Sequence, residues 1–140
     1  MNVLKLTFEL YKEKVVFVDK FLGRRDSSTY IALDSLVTED IDFLKKDIEG
    51  AEIDAILGGK NVLRSSANLA ICSYHKLNDE ENIRFLLESL GDEISVSDGY
   101  MFFIHDKEFM ETLVLRRRIV YGTKNMSESI MNIIWGEKWQ

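Results

Sequence analysis

The sequence predicts an α/β domain with a mixed sheet, and three observations support that fold class. Short apolar runs typical of strands alternate with segments whose apolar residues recur at helical spacing. An acidic pair follows one of these runs, where a strand would pass into a helix. Two further apolar runs near the C-terminus predict an antiparallel strand pair. Residues 1–124 are therefore expected to form the α/β domain, and residues 125–140 a helical tail.

Three short runs in the first half of the chain predict strands. Val15–Phe21 is rich in β-branched and aromatic residues and is closed by Gly23 and a polar loop. Tyr30–Leu33 predicts a second short strand, and Asp42–Asp47 predicts a third. The first half is therefore expected to supply three strands.

The middle of the chain predicts two helices separated by a strand. Apolar side chains share one helical face up to a helix end near Arg64–Ser65, namely Ile53, Ile56, Leu57 and Leu63. Leu69–Tyr74 predicts the intervening strand. Asn78 opens the second helix, whose first turn is acidic, as the helix dipole favours, and Gly91 is its expected stop.

The C-terminal third predicts an antiparallel pair and then a helix. Ile94–Val96 and Tyr100–Ile104, together with Thr112–Tyr121, predict the terminal antiparallel pair. Residues 125–140 carry apolar side chains at helical spacing, namely Ile130, Ile133, Ile134, Trp135 and Trp139. That spacing predicts an amphipathic helix over the tail.

Composition and charge exclude several classes of partner. The chain has 140 residues, of which 46% are hydrophobic and 30% charged, as in ordinary globular proteins. Its net charge of −6 argues against a nucleic-acid or anionic-membrane surface, because both are bound by basic patches. Arg116–Arg118 is a local exception, which we interpret as a solvated strand end.

The single cysteine, Cys72, excludes an internal disulfide and suits a reducing compartment. It lies in an apolar run and is predicted to be a small core residue. The sequence shows no N-terminal signal pattern and no apolar stretch of about 18 residues. The expected location is therefore the cytoplasm.

Two acidic residues at the end of the third predicted strand, Asp47 and Glu49, are the first candidate site residues. The carboxyl ends of strands in an α/β sheet are where such folds bind ligands. On a continuing strand the two side chains would share a face, and either could orient a substrate hydroxyl or accept its proton. Acidic residues before a helix also act as caps, and Glu52 could complete an N-terminal box with Glu49. Both interpretations stay open.

His75 ends the fourth predicted strand, beside the same edge as Asp47, because adjacent parallel strands terminate together. A neutral imidazole there could act as a general base towards an alcohol, or it could simply be a polar residue at a strand end. His105 is a weaker candidate, because it lies on the antiparallel pair. Asp34 is interpreted as a turn or helix-cap aspartate.

No metal site is predicted. Two distant histidines and one cysteine, with no HxxxH or CxxC spacing, leave only carboxylates as ligands. Nucleophilic catalysis is also disfavoured, because Cys72 and Ser73 lie too close to His75 along one strand for triad geometry.

Several segments, taken in order, resemble one known family. They are Ala-Leu-Asp-Ser-Leu (32–36), Lys-Lys-Asp-Ile-Glu-Gly-Ala-Glu (45–52) and Cys-Ser-Tyr-His-Lys (72–76), followed by a charged aliphatic helix and an aromatic strand (99–103). Over roughly residues 14–123 they resemble the C-terminal half of FkbM-type S-adenosylmethionine-dependent methyltransferases. The resemblance implies a partial class I, Rossmann-like fold with Asp47 facing the active cleft. It also implies a helix within residues 2–12, where the alternation of Leu4–Leu10 instead indicates a strand.

The reaction that the resemblance implies is methyl transfer from S-adenosylmethionine to a hydroxyl of a small molecule or glycan. Class I methyltransferases hold this cofactor with a glycine-rich loop after their first strand, and none of the 8 glycines here forms such a loop. Cofactor-binding residues are therefore unassigned, and the chain alone is expected to bind the cofactor weakly or not at all. The alternative is a non-catalytic α/β module that mediates protein association.

A homodimer is the expected assembly. In class I methyltransferases the strand equivalent to Asp42–Asp47 pairs with the first strand, which the resemblance does not place in this chain. An apolar strand edge without a neighbour favours association with another chain. We therefore expect a second copy to cover this edge, with Ile130–Trp139 as one candidate segment.

Overall fold

A computed structural model of the chain describes residues 7–65, 68–101, 111 and 115–124. The first elements within these ranges are a 3-10 helix (Glu9–Tyr11), β1 (Phe21–Leu22), β2 (Tyr30–Ile31), α1 (Leu33–Leu36), β3 (Phe43–Lys46), α2 (Glu52–Leu57) and α3 (Lys60–Ser65). They are followed by β4 (Asn68–Cys72), α4 (Asp79–Ser89), β5 (Glu93–Val96), β6 (Tyr100–Met101), β7 (Arg116–Arg117) and β8 (Ile119–Thr123).

A four-stranded mixed sheet with the order β3-β4-β8-β5 lies at the centre of the fold. β3 and β4 are parallel, and β8 runs antiparallel to both β4 and β5. Lys46, the last residue of β3, pairs with Ile71, which lies one residue before the end of β4. The segments that leave β3 and β4 therefore emerge side by side at one edge of the sheet.

The core lies between this sheet and the helices that follow its strands. α4 packs against α2, β5 and β8. The buried apolar cluster consists of Leu33, Ile56, Val62, Leu63, Leu69, Ile71, Ile83, Leu87 and Val120. Because these side chains come from α1 to α4 and from both central strands, one core fixes the edge of the sheet relative to α2.

The strands at the sheet centre and the long helix confirm the sequence predictions. β3 and β4 each begin within one residue of the predicted first residue. They end one residue and two residues, respectively, before the predicted last residue. The helix predicted from Asn78 is α4, and Gly91 terminates it with φ of 89°. The amides of Gly91 and Asp92 donate to the carbonyls of Glu88 and Leu87, which is a Schellman motif that glycine favours.

The strand predicted at Val15–Phe21 is wrong over most of its length. Only Phe21 and Leu22 pair, with β2, and Val16 is 89% exposed. β-branched residues favour strands only where a neighbouring strand and a packed face are available. The strand predicted at Tyr30–Leu33 likewise stops at Ile31, because Leu33 begins α1 and turns into the core.

The single helix predicted up to Arg64–Ser65 is instead two helices, α2 and α3, interrupted at Gly58 and Gly59. A Cβ on Gly58 would collide with the carbonyl oxygen of Gly23, so the chain can pass there only without a side chain. Asp34 then accepts hydrogen bonds from the amides of Asn61 (3.0 Å) and Val62 (3.0 Å) at the start of α3. Its interpretation as a helix-cap aspartate is confirmed, although it caps a helix distant in sequence.

The C-terminal strands are antiparallel, as expected, but their pairing is more extensive than a single terminal pair. β8 lies inside the main sheet between β4 and β5, while β6 pairs with β7. Near the N-terminus, residues 9–11 form a 3-10 helix and not a strand. Residues 2–6, His105 and the tail at 125–140 lie outside the described residues. No helix in the described part of the chain is both long and apolar enough to cross a membrane.

Separate substitutions of Gly58 and Gly91 test the close approach of Gly58 to the carbonyl oxygen of Gly23. Gly58→Ala should lower the free energy of unfolding by about 3 kcal/mol, because the added methyl group overpacks against Gly23. Gly91→Ala is the matched control, since nothing lies within 4 Å of its Cβ position and only the positive φ is strained. Its cost should be about 1 kcal/mol. Urea unfolding measures both, and an equal or smaller loss for Gly58→Ala would contradict the packing described.

Candidate active site

The candidate site lies where the segments leaving β3 and β4 meet. Asp47 directly follows β3, and Tyr74 and His75 follow β4 after two and three residues. The Tyr74 hydroxyl donates to Asp47 Oδ1 at 3.0 Å, and His75 Nε2 lies 3.2 Å from the same oxygen. The structure therefore confirms the predicted position of His75 beside Asp47 at one edge of the sheet.

Three carboxylates surround the imidazole of His75. Asp47 Oδ1 and Glu52 Oε1 lie 3.2 and 3.4 Å from Nε2, and Glu49 Oε2 lies 3.5 Å from Nδ1. The His75 side chain is only 10% exposed, whereas Glu49 is 90% exposed. The ring therefore has a buried side, at Nε2, and an open side, at Nδ1.

The turn between β3 and α2 delivers these carboxylates from two directions. β3 ends at Lys46, so Asp47 and Glu49 do not lie on the same face of a continuing strand. Glu49 and Gly50 have φ values of 53° and 88°, which reverse the chain and bring α2 back towards His75. The Lys76 amine donates to the Gly50 carbonyl and holds the turn against the segment after β4.

Glu52, which the sequence indicated as part of a helix N-terminal box, is fully buried beside His75. Its Oε1 accepts a hydrogen bond from the Ile48 amide at 3.0 Å. This contact closes the turn before α2, much as a helix N-terminal box would. The contact is made with Ile48 and not with Glu49, so the predicted box between Glu49 and Glu52 is not formed, although Glu52 fixes the same turn beside His75.

Arg116 supports the site from the opposite side, and its interpretation as part of a solvated strand end is wrong. The residue is 5% exposed, and Nη1 donates to the carbonyl oxygens of Tyr74 (3.0 Å) and His75 (3.1 Å). A guanidinium presents several donors in a fixed plane, so it can hold two successive carbonyls. Asp79 accepts from the Lys76 amide at 2.7 Å, which fixes the next residue of the same segment.

A cleft of about 550 Å3 adjoins the cluster. It is lined by Gly50, Ile53, Asp54, Lys76, Leu77, Asn78, Asp79 and Asn82. Its carboxamides, carboxylates and ammonium group suit a polar ligand that offers hydroxyl groups. Within the described ranges, no three side chains converge as the ligands of a metal ion do.

Comparison with known proteins decides the family. The family model for the methyltransferase FkbM domain matches residues 19–106, which include the whole His75 cluster. The chain belongs to the FkbM methyltransferase family. No curated protein matches the sequence.

One solved structure supports the same fold. The crystal structure of methyltransferase FkbM from Methylobacillus flagellatus KT, at 2.20 Å resolution, matches with a TM-score of 0.62 and 18% identity. The match covers 85% of this chain and 32% of that protein, so the chain spans about a third of that structure's length. The partial Rossmann-like methyltransferase fold expected from the sequence is confirmed.

The electrostatics of the FkbM site keep Asp47 ionised and keep Cys72 and Tyr74 protonated. Burial acts to raise the pKa of Asp47, but hydrogen bonds from Tyr74 and His75 outweigh it and lower the pKa. Burial and the adjacent Asp47 carboxylate raise the pKa of both Cys72 and Tyr74. Cys72, which is buried as predicted, is therefore a thiol and not an activated nucleophile at neutral pH.

Lys46 is a buried residue that sequence reasoning missed. A lysine side chain is ordinarily exposed to solvent, yet Lys46 is 1% exposed. Burial lowers its pKa to about 7, although the charge of Glu52 opposes that effect. The alternation of side chains along β3 could have indicated that Lys46 is buried, because it places Lys46 on the same face of the sheet as Leu44.

Stability against pH tests the burial of Lys46. An unfolded lysine has a pKa of about 10.4, so between pH 7 and 10 the unfolded chain binds a proton that the folded chain does not. Stability should therefore rise with pH in this window, by about 1 kcal/mol per unit, and the cost of charging Lys46 is fully present below pH 7. Urea unfolding of Lys46→Met should lack this rise, whereas the exposed Lys45→Met should retain it. Equal slopes for the two variants would contradict a buried Lys46.

Proposed function

We propose that this FkbM domain presents an acceptor hydroxyl for methyl transfer from S-adenosylmethionine, with His75 as the general base. The observation that carries the proposal is the ring of His75, held on its Nε2 side by the carboxylates of Asp47 and Glu52. Membership of the family supports methyl transfer as the reaction class. The carboxyl edge of a parallel strand pair is also where ligands bind in α/β folds.

The residues present fit only part of the cofactor. S-adenosylmethionine, when bound, supplies an electrophilic methyl group on a positively charged sulfur. The carboxylates of Asp47 and Glu49 would favour a positive charge beside them. The sequence offers no glycine-rich loop for the adenosine part, so we assign no residue of this chain to it.

The proton of the acceptor hydroxyl would pass to Nδ1 of His75. A carboxylate can only accept hydrogen bonds, so Asp47 and Glu52 favour a ring that carries its proton on Nε2. Nδ1 is then left with its lone pair on the open side. The methyl group would pass to the acceptor oxygen as its bond to sulfur breaks, and the cofactor would leave as a neutral thioether. Nδ1 would take the proton that the oxygen loses, and Asp47 would stabilise the resulting imidazolium.

The cleft beside the cluster would hold the acceptor. Asn78 and Asn82 offer amide donors and acceptors, and Asp54 offers a carboxylate. These groups pair well with hydroxyls, so we propose that the acceptor is a hydroxyl of a small molecule or glycan. Ile53 and Leu77 provide apolar surface for the remainder of such a molecule.

Substitution of Asp47 tests the role of the cluster. In a form of the enzyme that carries a cofactor-binding half, Asp47→Asn should lower kcat for methyl transfer on the order of 100-fold, with little change in the thermal midpoint. The amide keeps the shape of the side chain but loses the negative charge beside His75. Glu93→Gln, an exposed change at the far edge of the sheet, is the control and should keep normal turnover. Normal turnover of Asp47→Asn, or failure of that variant to fold, would make Asp47 a structural residue.

We also propose that a second copy of the chain covers the free edge of β3. Among the residues that the structure describes, β3 is the outer strand of the four-stranded sheet, and Phe43 on it is 59% exposed. Phe21 and Val16 add further apolar surface, at 68% and 89% exposure. An apolar edge strand of this kind favours pairing with another chain.

Light scattering coupled to gel filtration tests the assembly. The chain has a mass of 16.2 kDa, and a dimer should elute with twice that mass at high micromolar concentration. Phe43→Glu should shift the protein to the monomer, because it places a charge in the proposed interface. Phe85→Glu is the matched control, since Phe85 is 70% exposed on α4, and it should remain a dimer. A monomeric unsubstituted chain would exclude the dimer.

A further inference from the structure

A second cleft lies beside the cleft that the acceptor is proposed to occupy. Its volume is about 480 Å3, within the range of about 300–1,000 Å3 that is typical of ligand sites. Leu77 and Asn78, where the chain passes into α4, line both clefts. The two clefts therefore share a wall, and a molecule that fills the first can extend past this wall into the second.

The second cleft is fixed in position relative to His75. Arg116 lines it, is 5% exposed and donates from Nη1 to the carbonyl oxygens of Tyr74 and His75. Ser73, another lining residue, donates its hydroxyl to the carbonyl oxygen of Arg117 at 3.0 Å. The segment that carries His75 thus contributes one side of this cleft, so a ligand there lies at a defined place relative to the proposed base.

The second cleft also presents apolar surface to solvent. Phe85 and Leu115 line it and are 70% and 50% exposed. Single exposed apolar side chains are ordinary, but here an aromatic ring and an aliphatic side chain meet in one concave site. The face of an aromatic ring carries partial negative charge, so the C–H groups on one face of a sugar pack well against it.

The charges of the second cleft favour a neutral ligand. Of the described residues that line it, three carry guanidinium groups and three carry carboxylates, namely Arg84, Arg116, Arg117, Glu80, Glu81 and Glu88. Because the two signs balance, neither an anion nor a cation is attracted to the cleft as a whole.

The same charged groups are spaced so that a hydroxyl can bind between them. Arg84 lies 3.8 Å from Glu80 and 3.9 Å from Glu88, and Arg117 lies 3.9 Å from Glu80. These separations are longer than hydrogen bonds, so the side chains keep the capacity to bind a ligand. A hydroxyl donates and accepts at once, and it can therefore bridge a guanidinium group and a carboxylate.

We propose that the second cleft is a subsite for a second sugar unit, and that the acceptor is an oligosaccharide. The unit with the reacting hydroxyl occupies the first cleft beside His75. The next unit packs on Phe85, with its hydroxyls between Arg84 and the carboxylates of Glu80 and Glu88. The inference rests on the proposed function, because it takes the first cleft as the acceptor site.

Binding of defined sugars tests the subsite without an assay of turnover. The 15N-labelled chain is titrated with glucose, galactose and mannose, and with maltose, lactose and α-1,2-mannobiose, while the amide signals of Leu77 and Asn78 are followed by nuclear magnetic resonance. At least one disaccharide should bind on the order of tenfold more tightly than either of its units, because the second unit is already held close to its subsite. No binding of any sugar, or equal affinities for units and disaccharides, would overturn the subsite.

Substitution of Phe85 locates the gain in affinity. Phe85→Ala should remove the gain and leave the affinity for the monosaccharide unchanged, whereas Phe85→Tyr, which keeps the ring, should retain the gain. The side chain is 70% exposed, so neither change disturbs the core. Phe43→Ala is the matched control, since Phe43 is 59% exposed and lines neither cleft. A full gain in Phe85→Ala, or the same loss in Phe43→Ala, would overturn the subsite.

Substitution of Arg84 tests the polar contacts of the second unit. Arg84→Met should lower the affinity for the disaccharide and leave that for the monosaccharide unchanged, because it removes the donors beside Glu80 and Glu88. Arg64→Met, an exposed change on α3, is the control and should bind both sugars normally. An unchanged disaccharide affinity in Arg84→Met would contradict the bridging hydroxyls.

Turnover separates this inference from the proposed function. In a form that carries a cofactor-binding half, Phe85→Ala should raise KM for an oligosaccharide acceptor on the order of tenfold with little change in kcat, since Phe85 binds but does not react. Absence of methyl transfer to any sugar, with the disaccharide gain intact, would remove the proposed function and leave the subsite. Methyl transfer to a monosaccharide with the same kcat/KM as to its disaccharide would overturn only the subsite.

Discussion

The buried carboxylate of Glu52 joins three parts of the fold that are separate in the sequence. One oxygen accepts the Ile48 amide after β3 and lies within 3.4 Å of the ring that follows β4. Its charge also acts on Lys46, at the end of β3. Because a buried carboxylate is tolerated only with hydrogen-bonding partners, the turn and the ring must stay in place together.

The sheet makes this contact possible. The parallel register of β3 and β4 brings the residues after Lys46 and Cys72 to one edge, and Arg116 holds the carbonyls of Tyr74 and His75 from the antiparallel side. The two residues with positive φ, Glu49 and Gly50, then return the chain to begin α2. Asp47, which the strand end supplies directly, and Glu52, which the turn supplies, therefore meet the same ring nitrogen.

The sequence was sufficient to place those site residues whose positions follow directly from the ends of the strands. Asp47 and His75 each follow an apolar run, and the parallel pairing of those runs was enough to place them together. Lys46 was missed and Arg116 was misjudged because a charged side chain suggests solvent, whereas only the three-dimensional packing shows that both are buried. Val15–Phe21 was predicted as a strand for a related reason, since its composition could not tell whether a neighbouring strand was present. The interruption at Gly58 depends on Gly23, a contact between distant residues that no helical periodicity encodes.

A double-mutant cycle between Glu52 and His75 tests the central contact most directly. Urea unfolding of Glu52→Gln, His75→Gln and the double variant yields the coupling energy between the two side chains. The account predicts a coupling of about 1–2 kcal/mol at neutral pH, because each single variant leaves the other group without its charged partner. Additive losses, within about 0.3 kcal/mol, would show that the carboxylate does not hold the ring, and the account of the site would then be wrong.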